Sequence, residues 1–251
     1  LVNARYGVAQ PGTLDLGARV TIDGVSGEVD ATGTTQVAGP ACTVRGTQPF
    51  DTLRATSPAG DVVCGFGLGD TLIPGPGPDR FLNAANDTLD LRSSTAAPSG
   101  AGWAVDLSTS PGTIAVVGRP GVDLVFGTPR VIGGAGDDRV TGSGGADAFD
   151  GGPGDDRLDG AGGDDYLTGG RGDDALIGGA GIDKITYYPH VHPVQVFLST
   201  NAPQQTGGAG VDTISSTVEN ISGTKLDDLL VGDEGRNTLS GGLGDDRLVG
   251  R

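Results

Sequence analysis

From Gly133 to Thr186 the chain reads GGAGDDRVT, GSGGADAFD, GGPGDDRLD, GAGGDDYLT, GGRGDDALI, GGAGIDKIT: six contiguous nonads. Positions 1 and 4 are glycine in every nonad. Position 6 is always aspartate: Asp138, Asp147, Asp156, Asp165, Asp174 and Asp183. Position 8 is always apolar: Val140, Phe149, Leu158, Leu167, Leu176 and Ile185.

The spacing dictates a shape. A glycine-rich half-nonad turns the chain tightly, because glycine tolerates φ > 0 cheaply. The remaining half is a three-residue strand with one side chain pointing inward. Two nonads then make a coil with a strand on each side. Coils stack as parallel strands, and position 8 fills a thin apolar core. A flexible Gly/Asp linker would not keep an apolar residue at every ninth position. In the stack, Asp138, Asp156 and Asp174 fall on one side, and Asp147, Asp165 and Asp183 on the other. Carboxylates stacked about 4.8 Å apart repel unless a cation lies between them. Turn carbonyls complete the oxygen cage that calcium prefers.

The pattern GGxGxDxUx closely resembles the RTX (haemolysin-type) calcium-binding repeats, which form a right-handed parallel β-roll. The resemblance implies Ca2+ held between turns of adjacent coils, with the six position-6 aspartates as side-chain ligands. Position 5 is often Asp or Asn in that family, matched here by Asp137, Asp155, Asp164 and Asp173. Ser143 and Ala161 depart from glycine at position 2. The repeat resumes at 223–249 as GTKLDDLLV, GDEGRNTLS, GGLGDDRLV, with Asp228, Asn237 and Asp246 at position 6. Asp228 and Asp246 are two nonads apart and could share an ion; neutral Asn237 makes a weaker site. Degenerate copies upstream place Asp70, Asp79 and Asp87 in the same role.

The expected architecture is all-β: a right-handed parallel β-roll, or β-solenoid, with an N-terminal β cap. Residues 1–64 read as the cap or a small β domain, since alternating Thr/Val/Gly stretches with turn signals predict short strands. Residues 65–251 read as the solenoid, with clean nonads at 133–186 and 223–249 and wider, calcium-poor coils at 88–132 and 184–222. AVDLST at 104–109 and QVFLST at 195–200 mark a longer duplication. Trp103, Tyr187 and Tyr188 read as core or edge fillers. Of the two cysteines, Cys42 and Cys64, an even count in a secreted chain favours a disulfide over two buried thiols.

Composition narrows the function. The 251 residues carry 32 acidic against 16 basic side chains, a net charge of −16. Such a surface repels phosphate backbones and anionic membranes, which argues against nucleic acid and lipid partners. No run of about 18 apolar residues predicts a membrane span. Methionine is absent even at position 1, so the chain reads as processed or trimmed. His190 and His192 could form a zinc pair on a strand, but no third ligand is evident. There is no GxSxG, and GFGLG at 65–69 precedes no predicted helix. The sequence therefore reads as a non-catalytic, extracellular or cell-surface calcium-binding structural protein. Its coils would fold on calcium binding and could stack end to end into a fibre. The alternative is a calcium-dependent folding or secretion module of a larger secreted enzyme: a protease, lipase or polysaccharide-modifying enzyme.

Overall fold

Each nonad contributes one short strand centred on its apolar residue: Arg139–Thr141 on Val140, Arg157–Asp159 on Leu158, Ala175–Ile177 on Leu176. The computed structural model describes residues 19–22, 25–28, 42–46, 50–65, 69–82, 87–92, 94, 102–109, 112–116, 123–125 and 130–251. Among them, strands assemble into an 11-stranded sheet, a 9-stranded sheet and a 3-stranded sheet, with a separate two-stranded hairpin. The only helical turn among the described residues is a 3-10 segment at Gly207–Ala209. The fold is an all-β parallel roll.

Successive nonads alternate between the two long sheets. Val140 pairs with Leu158 and Leu158 with Leu176 in one; Phe149 pairs with Leu167 and Leu167 with Ile185 in the other. These side chains are at most 1 % exposed and belong to one apolar cluster. Burying each such side chain stabilises the roll by about 1.5–3 kcal/mol. Three-residue strands have little stability of their own, so this ladder of identical contacts holds the stack.

The insertions are looped out while the stack continues. Val140 pairs upstream with Val105, Leu176 downstream with Ile214, and Ile185 with Ile221. In the 11-stranded sheet, among the described residues, antiparallel neighbours enter locally at Gly112–Val116 and at Gln204–Gln205. The duplicated strings take the same role: Val105 lies beside Val140, and Val196 beside Leu230. Trp103 and Tyr187 are buried in the core, whereas Tyr188 is exposed with the Lys225 ammonium over its ring.

The contact pattern divides the chain into Leu1–Thr43 and Val44–Arg251. In the first unit the strands Arg19–Ile22 and Val25–Glu28 form an antiparallel hairpin; residues 1–18, 23–24 and 29–41 of the segment expected to be a cap lie outside the described residues. The boundary expected at residue 64 falls inside the long sheets. Val44–Arg45 and Val62–Cys64 lie in the 11-stranded sheet, and Thr52–Arg54 in the 9-stranded one. Their turns lack the glycine pattern, but their strands keep the buried residue: Leu53 and Val63 are core. Cys42 and Cys64 are disulfide-bonded. The GFGLG stretch leads into the strand Thr71–Ile73 and not a helix, which removes the nucleotide-loop geometry.

Candidate metal centre

Position 6 precedes the strand, and there the backbone N–H of one coil meets the side chain of the next. The Asp138 N–H donates to Asp156 Oδ1 at 2.8 Å, and the Asp156 N–H to Asp174 Oδ1 at 2.9 Å. On the other side, the Asp147 N–H donates to Asp165 Oδ1 at 2.8 Å and the Asp165 N–H to Asp183 Oδ1 at 2.9 Å. The expected two-sided stacking of aspartates is therefore a hydrogen-bonded ladder. Asp228 and Asp246 repeat it at 3.0 Å.

The second oxygen of each carboxylate separates the turns into two kinds. Asp138 Oδ2 accepts the Gly134 N–H and Asp147 Oδ2 the Ser143 N–H, both from position 2 of the same turn. In the next four turns position 2 has positive φ: Gly152 at 108°, Ala161 at 67°, Gly170 at 118° and Gly179 at 111°. There Oδ2 of Asp156, Asp165, Asp174 and Asp183 is buried with no hydrogen-bond partner. A buried, unpaired carboxylate oxygen costs several kcal/mol unless a cation or proton compensates.

Glycine at position 1 has a different purpose from the tight turn first assigned to it. Gly160 does not need positive φ; a Cβ there would land on Asp165 Oδ2 and on the Gly178 carbonyl oxygen of the next coil. Gly151 is bounded in the same way by Asp156 Oδ2 and the Gly169 carbonyl. Each gap thus collects one carboxylate oxygen and one backbone oxygen from adjacent coils. Gly160→Ala should raise the calcium needed for folding about tenfold or more. Gly162→Ala, where a Cβ meets nothing closer than 3.8 Å, should leave it unchanged. Calcium titrations followed by circular dichroism compare the two; equal midpoints would remove the gap from the argument.

Electrostatics agree. Burial, aided by the charges of neighbouring aspartates and opposed by the backbone N–H donors, pushes Asp156 up to about 7, Asp165 to about 6 and Asp174 to about 8. Burial also raises Asp138, Asp147 and Asp183. No three His, Cys, Asp or Glu side chains converge among the described residues. Carboxylate and carbonyl oxygens together are the hard, all-oxygen donors that suit Ca2+. His190 and His192 border an open groove with Asp150 and Arg171.

The position-5 carboxylates are placed differently. Asp137, Asp155, Asp164 and Asp173 are exposed. Asp137 Oδ1 accepts the Asp155 N–H, Asp155 Oδ1 the Asp173 N–H, and Asp164 Oδ1 the Ile182 N–H. Asp173 Oδ1 accepts the Val211 N–H. They form an outer ladder running opposite to the inner one.

Two rungs were not anticipated. The Asp174 N–H donates to Asp212 Oδ1 at 3.1 Å across 38 residues, and the Asp183 N–H to Glu219 Oε2 at 2.8 Å across 36. The signal was present in the sequence: an acid two residues before a buried apolar one, Asp212 before Ile214 and Glu219 before Ile221. Searching for whole nonads hides it. Asp212 Oδ2 accepts the Tyr187 and Thr206 hydroxyls, so hydroxyl donors close this rung.

The protein-family model of the RTX calcium-binding nonapeptide repeat, in four copies, matches residues 130–158, 150–185 and 222–251. No curated protein matches the chain.

Proposed function

For a chain whose residues 130–185 and 222–251 are RTX calcium-binding nonapeptide repeats, we propose the role of an extracellular, calcium-dependent structural protein that assembles at a cell surface or in a fibre. The repeats bind Ca2+ and are structural elements. The observation that carries the reading is the set of buried, unpartnered oxygens on Asp156, Asp165, Asp174 and Asp183. These residues, with Asp138 and Asp147 as stack ends and Asp228 with Asp246 in the last coils, would hold calcium between adjacent turns. Bound calcium supplies the positive charge that stacked carboxylates lack, so binding free energy becomes folding free energy. The outward Asp137, Asp155, Asp164 and Asp173 would tie coils together through backbone N–H groups.

Assembly is supported by the sheet edges. Thr238–Ser240 and Arg247–Val249 are edge strands among the described residues, with Leu243 and Leu248 exposed beside them. Unpaired edges accept further strands. No helix of the described residues is long and apolar enough to cross a membrane. Sedimentation velocity and electron microscopy at rising protein concentration test the assembly. Calcium-dependent oligomers or filaments are expected; a monomer at every concentration with calcium saturating would end the assembly claim.

A further inference from the structure

A groove of about 550 Å³ opens between the outer face of the roll and the insertion that follows Thr186, a size that suits a small ligand. Its floor comes from the strands Ala148–Pro153 and Tyr166–Arg171, which pair in parallel. The register sets Asp150 beside Thr168, Gly152 beside Gly170 and Pro153 beside Arg171. Phe149 and Leu167 fill the core, so their neighbours Asp150 and Thr168 face outward. The Gly152–Gly170 step has no side chains, and a Cβ on Gly170 would collide with the Gly152 carbonyl oxygen. Asp150 and Arg171 therefore stand at the two ends of a bare backbone trough, three residues apart in register, or about 10 Å.

The opposite wall is the insertion, through Pro189, His190, Val191, His192 and Gly208. Backbone bonds fix it in place. The Gly172 N–H donates to the Ala209 carbonyl at 2.8 Å, and the His190 N–H to the Tyr187 carbonyl at 2.8 Å. The His190 ring hydrogen-bonds to the Gly170 backbone. A Cβ on Gly208 would meet the His192 ring, so both imidazoles are held against the trough.

The charge of the groove is opposite to that of the chain. The protein carries a net −16, yet Arg171, His190 and His192 line the groove against one carboxylate, Asp150. Arg92 and Arg130 also act on Asp150. Arg171 is exposed and makes no ion pair with a described residue. Its guanidinium presents a fork of donors that matches a carboxylate. At the other end Asp150 repels a second negative charge but accepts from hydroxyls, and the Thr168 hydroxyl can donate or accept. Pro153, Pro189 and Val191 offer apolar surface to C–H groups. The ligand that satisfies all three features is a monoanion rich in hydroxyls.

We propose that this groove binds a sugar acid, free or as a unit of a polysaccharide, with its carboxylate on Arg171 and its hydroxyls toward Asp150 and Thr168. The site goes beyond the calcium reading and needs only the folded roll.

The test titrates the full, isotope-labelled chain at saturating calcium with glucuronate, glucose, acetate and a glucuronate-containing tetrasaccharide, followed by nuclear magnetic resonance. Glucuronate should shift the Gly170 and Gly208 amides and the His190 and His192 rings. Glucose lacks the carboxylate and acetate lacks the hydroxyls, so each should bind about tenfold more weakly or worse. Arg171→Gln should weaken glucuronate binding about tenfold or more, and Asp150→Ala by about fivefold. Circular dichroism at the same calcium concentration checks that both variants keep the roll. A tetrasaccharide that binds more tightly than the monomer supports the site with a chain as its source; equal affinities support it with the free acid. No shift at these four residues, shifts unchanged in Arg171→Gln, or glucose bound as tightly as glucuronate overturns the proposal. None of these results bears on the calcium sites, which the chelator experiments test separately.

Discussion

With calcium removed, the β-structure of residues 133–186 should be lost at pH 8 and return on acidification. The segment carries twelve aspartates against four basic residues, Arg139, Arg157, Arg171 and Lys184. Without the ion, its buried carboxylates must repel one another or take up protons. Their native values lie above the ordinary 3.8, at about 7 for Asp156, 6 for Asp165 and 8 for Asp174. The native state therefore binds more protons than the unfolded chain between pH 3.8 and those values, and stability must fall as pH rises through that window. The penalty is fully developed above about pH 8, shrinks progressively below it and is gone only near pH 3.8. Calcium replaces the protons, so binding near pH 7 should release protons, and affinity should rise with pH. Circular dichroism with chelator at pH 5.5 and pH 8, together with calorimetry in buffers of different ionisation enthalpy, reads both effects. A β spectrum indifferent to chelator at pH 8, with metal loss verified, would refute calcium-coupled folding. Magnesium should restore structure poorly, because it demands tighter octahedral geometry and holds its waters.

Asp156→Ala should damage calcium-driven folding far more than Asp138→Ala. Asp156 has carboxylate neighbours in both adjacent coils, Asp138 and Asp174. Asp138 has one, because its other neighbour is the Trp103 N–H at 2.7 Å. Both Asp138 oxygens are already matched by backbone donors, Trp103 and Gly134. Loss of Asp156 should weaken two sites and loss of Asp138 one. Each tenfold fall in site affinity is worth about 1.4 kcal/mol, and the ion stabilises only the folded chain. The folding midpoint in calcium should therefore shift clearly further for Asp156→Ala. Asp155→Ala is the control: it removes an exposed acceptor for the Asp173 N–H and should cost about 1 kcal/mol or less. Calorimetric titration of the three variants decides between them. Equal damage from Asp138→Ala and Asp156→Ala would contradict the pairing of sites along each side.

Much of this was legible in the chain itself. A strict nine-residue period with one apolar position specifies a two-sided stack, because no other arrangement buries Val140, Phe149 and Leu158 together while leaving the turns outside. The same period assigns Asp138 and Asp147 to opposite sides, and the oxygen-only chemistry of the turns points to calcium. Tertiary structure decided three further things. It joined Asp174 to Asp212 and Asp183 to Glu219 across insertions of unrelated sequence. The stack needs an apolar residue and a partner for each backbone N–H, and the loop between them can have any length that lets both arrive. It separated the position-5 from the position-6 carboxylates, adjacent in sequence but exposed in the one case and buried in the other. And it distinguished turns whose own N–H satisfies Oδ2 of the aspartate, as at Gly134 and Ser143, from those that leave Oδ2 bare, as at Gly152 and Gly170. That difference goes with the backbone φ of position 2, which is positive at Ala161 as well as at Gly152, Gly170 and Gly179, so residue type alone does not select it and the packing of one coil on the next does.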